Sequence, residues 1–232
     1  MTLRLEGVRL VRPDFSLSAD FTVPKGEITA IIGPSGSGKS TLLSLIAGFE
    51  TPAQGRILFE ERDLTDVPPA DRPVSLVFQD NNLFPHLSVE RNVGLGLDPG
   101  LRLGAEDRAC VARALEEVGL SGLAQRKPGA LSGGQQSRAA LARALLRDKP
   151  LLLLDEAFAA LGPALRRDML ALVEGLRARH ELSVLMVTHD PGDAAAIAPH
   201  TIFVDGGVAH APAPTAALLE APSGALAAYL GD

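Results

Sequence analysis

The chain has 232 residues, 46% hydrophobic and 22% charged, with a formal net charge of −6. That profile excludes a disordered chain and allows one large domain, and the mild acidity without any basic block argues against a broad nucleic-acid-binding face. One cysteine, Cys110, excludes a disulfide framework within the chain and a thiolate metal cluster, in keeping with the cytosol. The opening Met1-Thr2-Leu3-Arg4-Leu5-Glu6 does not read as a signal peptide, and no apolar run has the length of a bilayer span. A membrane role is therefore expected to run through a partner.

In chain order, residues 2–12 and 15–23 read as strands; the second alternates apolar and polar residues, as a half-exposed antiparallel strand does. Pro24-Lys25-Gly26 turns into a buried strand, 27–32. A glycine-rich loop and a helix closing near Gly48 follow, then a loop at 51–55, a short strand at 56–59 and an irregular proline-rich stretch, 64–73. Residues 74–78 form another strand, ending at Gln79 and a polar-aromatic loop, 80–87. From Ser88 to about Arg147 the pattern is helical: Ser88 can cap a helix without a reciprocal acid, 106–118 carries an apolar helical face, and 131–135 opens a helix running to Leu145. The run 151–154 is a buried parallel strand, and Pro163 starts a helix whose stripe of Leu165, Met169, Leu172, Val173 and Leu176 belongs to the core. Buried strand 183–187, a helix through Ile197, a hairpin-like pair turned at Gly206-Gly207 and a C-terminal helix complete the chain. The expected fold is α/β, with a mostly parallel sheet covered on both faces, a small antiparallel sheet beside it from the N-terminal strands, and an inserted helical lobe at about 88–147.

Gly33-Pro34-Ser35-Gly36-Ser37-Gly38-Lys39-Ser40-Thr41 lies between the strand and the helix, the setting of a phosphate-binding P-loop. Its glycines let successive N–H groups converge on an anion, and the helix start adds its positive end. Lys39 can reach the β- and γ-phosphates, and the Ser40 hydroxyl suits Mg²⁺. Asp155, ending a hydrophobic strand, is placed as a metal-holding carboxylate, and Glu156 beside it as a general base toward water. Gln79 and His189 also follow strand ends, where open α/β sheets line their ligand crevice: the amide can touch the metal or the attacking water, the imidazole the γ-phosphate. Ser132, Gly133, Gly134 and Gln135 make a second anion-binding helix start about ninety residues from the first, and one nucleotide cannot easily use both within one molecule.

These motifs stand in the order and at the spacings of the ATP-binding subunit of ABC transporters, which the chain resembles over essentially its whole length. The resemblance implies a single nucleotide-binding domain, ATP and Mg²⁺ as ligands, and a head-to-tail dimer with ATP between the P-loop of one copy and Ser132-Gly133-Gly134 of the other. It implies Glu156 as catalytic base and His189 as switch histidine, with the Gln79 loop and the helical lobe against a transmembrane permease. It also implies a peripheral position on the cytoplasmic face of the inner membrane and, indirectly, a periplasmic solute-binding protein. Within the family, Arg72-Pro73-Val74-Ser75, the stretches 78–84 and 92–101, and the short C-terminus look most like the ATPases of thiamine importers. An importer of another small solute remains open, as does a nucleotide-binding scaffold with weak turnover. A DNA-repair ATPase would need long coiled-coil insertions, and a P-loop small-molecule kinase would not need 131–135. Three positions depart from the family pattern. Gly162 stands where importers usually have an aspartate that helps the two subunits communicate, and Ala157 where proline is usual. Val11 or Arg12 falls where an aromatic normally stacks on adenine, with Phe15 the nearest ring.

Overall fold

The computed structural model describes residues 2–222 and 224–231. Strands β1 (Leu3–Arg12) and β2 (Phe15–Val23) form an antiparallel pair in which buried and exposed residues alternate, as in a sheet with one dry face. β3 (Ile28–Ile32) is buried throughout and leads through the glycine loop into α1 (Lys39–Ala47). β4 (Gln54–Phe59) pairs with β1, and β5 (Arg62–Asp63) with β4. β4 starts earlier than its sequence suggests because Gln54 pairs with Arg9 across a bulge that shifts the register after Glu6. β6 (Val74–Val77), α2 (Val89–Gly94), α3 (Ala105–Glu117), α4 (Gly133–Leu145) and β7 (Leu151–Asp155) come next. They are followed by α5 (Pro163–His180), β8 (Ser183–Val187), α6 (Pro191–Ile197), β9 (His200–Asp205), β10 (Val208–Ala209), β11 (Ala213–Pro214), α7 (Thr215–Glu220) and α8 (Ala225–Leu230).

The strand order is β5-β4-β1-β2-β10-β9-β3-β8-β7-β6, with β11 on β9. The stretch from β9 to β6 is parallel throughout, and β5, β4, β1 and β2 are antiparallel. The short β10 joins the two parts, running parallel to β2 and antiparallel to β9. The antiparallel sheet is therefore continuous with the parallel one rather than beside it. The strand period of two sorts the core. Ile31, Leu153, Leu185 and Val187 face α1, whose other side is closed by Leu3, Leu5 and Leu17. Ile28, Ala30, Leu152, Leu154 and Met186 belong to the opposite core, with α4 and α5. The helix that follows the glycine loop is thus held between two sheet layers, which fixes where its N-terminus points.

The helical stretch between β6 and β7 is three helices, with an irregular segment at 95–104 closed by Asp98, whose carboxylate accepts from the Gly100 and Arg102 amides at 2.9 Å each. Leu165 does not join the core: it is 48% exposed, while Met169, Val173 and Leu176 are buried. The Leu165 side chain instead lies beside Gly134 at the start of α4. The expected single C-terminal helix is two, α7 and α8, because Pro222 and Gly224 interrupt it.

Candidate functional site

Parallel strands end on one edge, so β3, β6, β7 and β8 deliver the glycine loop, Gln79, Asp155-Glu156 and Thr188-His189 to the same side of the sheet. The glycine loop is shaped by two close approaches. At Gly33 (φ 148°) a Cβ would lie 2.0 Å from the Val204 carbonyl oxygen of β9. At Gly38 (φ 110°) it would meet the Phe15 ring at 2.7 Å, so only glycine fits at either point. Gly38 caps α1 without a side-chain bond and the first turn of α1 holds no acidic residue, which leaves its N–H groups free for an anion. The Ser37 hydroxyl is buried and has no hydrogen-bond partner among the described residues, an orphan that a phosphate oxygen would satisfy.

Lys39 is 7% exposed, and its ammonium donates to the Gly33 and Pro34 carbonyl oxygens at 2.8 Å each. Burial lowers its pKa, while the Glu156 and Asp155 carboxylates pull it back up. The Ser40 hydroxyl donates to Asp155 Oδ1 at 2.9 Å. Burial raises the Asp155 pKa, partly offset by that hydrogen bond. A hydroxyl and a carboxylate converging in this way are hard oxygen donors, the ligand set Mg²⁺ takes. Glu156 sits in the left-handed region (φ 47°), with its carboxylate 3.7 Å from His189 Nδ1. A cleft of about 300 Å³ runs from Ser35 through Lys39 and Thr41 to Glu156, and its outer wall is Arg12 and Phe15. Val11 is 56% exposed and does not line it. Arg12 is also paired with Glu50.

Pro34, Ser35, Gly36, Ser37, Gly38, Ser40 and Thr41 all lie on the loop or the first turn of α1, with Asp155 and Glu156 opposite. Gln79 is exposed two residues beyond β6 and does not line this cleft. Ser132, Gly133, Gly134 and Gln135 are not part of it either. Ser132 caps α4, accepting from the Gln135 amide at 3.3 Å, while Gln135 Oε1 accepts from the Ser132 amide at 3.0 Å. Both Ser132 and Gly133 are exposed.

Further residues outside the nucleotide-binding motifs hold these loops. Arg166 on α5 donates to the Ala159 carbonyl at 3.2 Å and to Asp190 Oδ2 at 3.1 Å, tying the segment after β7 to the segment after β8. Asp193 is brought in through Thr188, whose hydroxyl donates to it at 2.8 Å. Arg143 on α4 donates to the Asn81 and Asn82 carbonyls at 2.7 Å each, and Asn92 on α2 bonds both the amide and the carbonyl of Phe84. The loop after Gln79 is thereby stapled to the helices. Arg166 and Arg143 carry no signal of their own in the sequence, because each donates to backbone carbonyls that no residue pattern names. Beside this loop, Phe49, Phe78 and Phe84 expose their rings around a second cleft of about 330 Å³ that also meets Arg143 and Arg147.

Known proteins resemble this chain in sequence and in fold. The profile of the ABC transporter family matches residues 17–159. The Thiamine import ATP-binding protein ThiQ of Cereibacter sphaeroides is 61% identical over 99% of both chains. The protein of the same name from Brucella suis is 55% identical over 99% of this chain and 96% of its own. Among solved structures, an ATP-binding cassette of an ABC transporter in its ADP conformation aligns with a TM-score of 0.90 at 29% identity, covering 100% of both chains. A nucleotide-free cassette aligns with a TM-score of 0.86 at 29% identity, covering 96% of each. The chain belongs to the ABC transporter family, as one of its ATP-binding cassettes.

Proposed function

We propose that the chain is the ATP-hydrolysing subunit of a thiamine importer, working as a head-to-tail pair beneath a separate membrane permease. One observation carries the reading: Lys39, Ser40, Asp155, Glu156 and His189 gather at one sheet edge in a chain that aligns end to end with a thiamine import ATP-binding protein. The whole chain is then one nucleotide-binding domain, with residues of about 88–147 as its helical lobe.

The glycine loop would take the phosphates of ATP on the free amides of α1, the Ser37 hydroxyl and Lys39, whose ammonium leaves the Gly33 and Pro34 carbonyls for phosphate oxygens. Ser40 and Asp155 would hold Mg²⁺, which neutralises charge on the β- and γ-phosphate oxygens. Glu156 accepts the proton of the attacking water, and His189, next to it, donates to the γ-phosphate. Gln79 is assigned to the water or the metal once its loop closes. Arg12 and Phe15 offer a planar cation and a ring to the adenine. Because Ser132 and Gly133 are exposed and Ser132, Gly133, Gly134 and Gln135 all lie outside the cleft, a second copy is assigned to supply them. The cleft ringed by Phe49, Phe78 and Phe84 is assigned to the permease, since its walls include the Gln79 loop. Among the described residues no helix is long and apolar enough to cross a membrane. As the ATPase of an importer, the cassette would sit peripherally on the cytoplasmic face, with a periplasmic solute-binding protein feeding the permease from the other side.

The test is the transporter purified with its permease and reconstituted in vesicles. Thiamine uptake should require ATP and Mg²⁺, vanish in Glu156→Gln, and vanish with ATP binding in Lys39→Ala. Turnover of the isolated chain should rise with protein concentration, as a shared site requires. Uptake of a different solute would overturn thiamine alone; turnover independent of concentration would overturn the shared site.

A further inference from the structure

We infer that Tyr229, on α8, is a positioning residue for hydrolysis, holding the His189 loop in place. The phenol hydroxyl donates to the backbone carbonyl of His189 at 3.1 Å. One side chain of α8 thus holds the backbone of the residue whose imidazole faces Glu156. The ring is placed by its helix. Leu226, three residues earlier on the same face of α8, is 6% exposed, and Phe203 of β9 meets the Tyr229 ring with centroids 6.0 Å apart. Phe203 is in turn stacked on His210. Burial raises the phenol pKa, so the hydroxyl keeps its proton and remains a donor.

The consequence concerns orientation. The His189 side chain is exposed, and its imidazole lies 3.7 Å from the Glu156 carboxylate. Its direction is therefore set by the backbone of 188–190. That backbone is fixed from one side by Arg166 on Asp190 and from the other by Tyr229 on the His189 carbonyl. Removing the second hold leaves the ATP-binding residues in place and lets the imidazole wander from the γ-phosphate.

The inference rests on the ATPase reading above, and Tyr229→Phe tests it in the full-length chain with wild type and Glu156→Gln in parallel. The phenylalanine keeps the ring against Phe203 and deletes only the hydroxyl. A neutral hydrogen bond lost from the rate-determining geometry should lower kcat about three- to tenfold. KM for ATP should stay within about twofold, with one ATP bound per chain and an unchanged melting temperature. Tyr229→Ala, which also loses the ring contact, should lower the melting temperature as well. Wild-type kcat in Tyr229→Phe would overturn the inference, as would a loss of kcat matched by an equal loss of ATP-binding stoichiometry. An inactive wild type indistinguishable from Glu156→Gln would instead overturn the ATPase reading.

Discussion

At the scale of single residues, the wall of the nucleotide cleft makes a sharp statement about Phe15. Its ring lies against Gly38, where a Cβ would come within 2.7 Å, and it faces the cleft together with Arg12. If it supplies the stacking surface, Phe15→Ala should weaken ATP binding by about 1–3 kcal/mol, roughly 5- to 150-fold, with little change in kcat at saturation; fluorescent-nucleotide titration measures it. Gly162 is the second such position. It caps α5 with φ −65°, is exposed, and a Cβ there would meet nothing within 4 Å among the described residues. Gly162→Asp should therefore fold without strain and change stability by only a few tenths of a kcal/mol, as glycine-for-aspartate exchanges at helix caps do. Steady-state ATPase of the assembled transporter should become more cooperative in ATP; unchanged turnover and Hill slope would show that Gly162 does not weaken coupling between the sites. Gly162 stood out in the sequence because the family pattern fixes what usually occupies its place, and Phe15 as the nearest ring to the place of the missing aromatic at Val11 or Arg12. Arg166, Arg143 and Asn92 did not, since each binds backbone groups that no residue pattern names.

At the scale of elements, the regular parts were legible and the joins were not. The apolar runs of β3, β7 and β8 and the cap of α4 follow from composition and spacing alone. The splitting of the C-terminal helix, the early start of β4 and the exposure of Leu165 depend on which elements meet in space, information a local pattern lacks. The staple between α4 and the loop after Gln79 is a join of this kind. Arg143→Gln removes the guanidinium that bridges the Asn81 and Asn82 carbonyls. Hydrogen bonds to a charged group are worth about 1.5–3 kcal/mol each, but exposed loop carbonyls recover water, so the melting temperature should fall only modestly. ATP affinity of the isolated chain should be unaffected, whereas permease-stimulated ATPase should drop severalfold. A variant stimulated like wild type would separate this staple from permease coupling.

For the whole molecule, stability and metal binding should respond to acid in opposite ways. Burial raises the pKa values of Asp155 and Asp193, so the folded chain binds these protons more readily than the unfolded chain does. Their contribution to stability therefore grows as pH falls through the window between the raised folded values and the ordinary aspartate value, and is absent well above it. Asp63 and Asp98 shift downward through local hydrogen bonds and act in the other sense, but both lie in solvent. Magnesium needs Asp155 ionised. The rise in melting temperature caused by Mg²⁺ and ATP should thus shrink on mild acidification while the ligand-free chain holds or gains, which paired thermal melts from neutral pH downward would measure. Glu156 adds a different consequence. A carboxylate side chain held at φ 47° costs about 1 kcal/mol that glycine would avoid. Heat resistance and turnover therefore pull this position apart. A library selected for thermal survival alone should drift toward glycine or asparagine at 156, and one selected for growth on scarce solute should not.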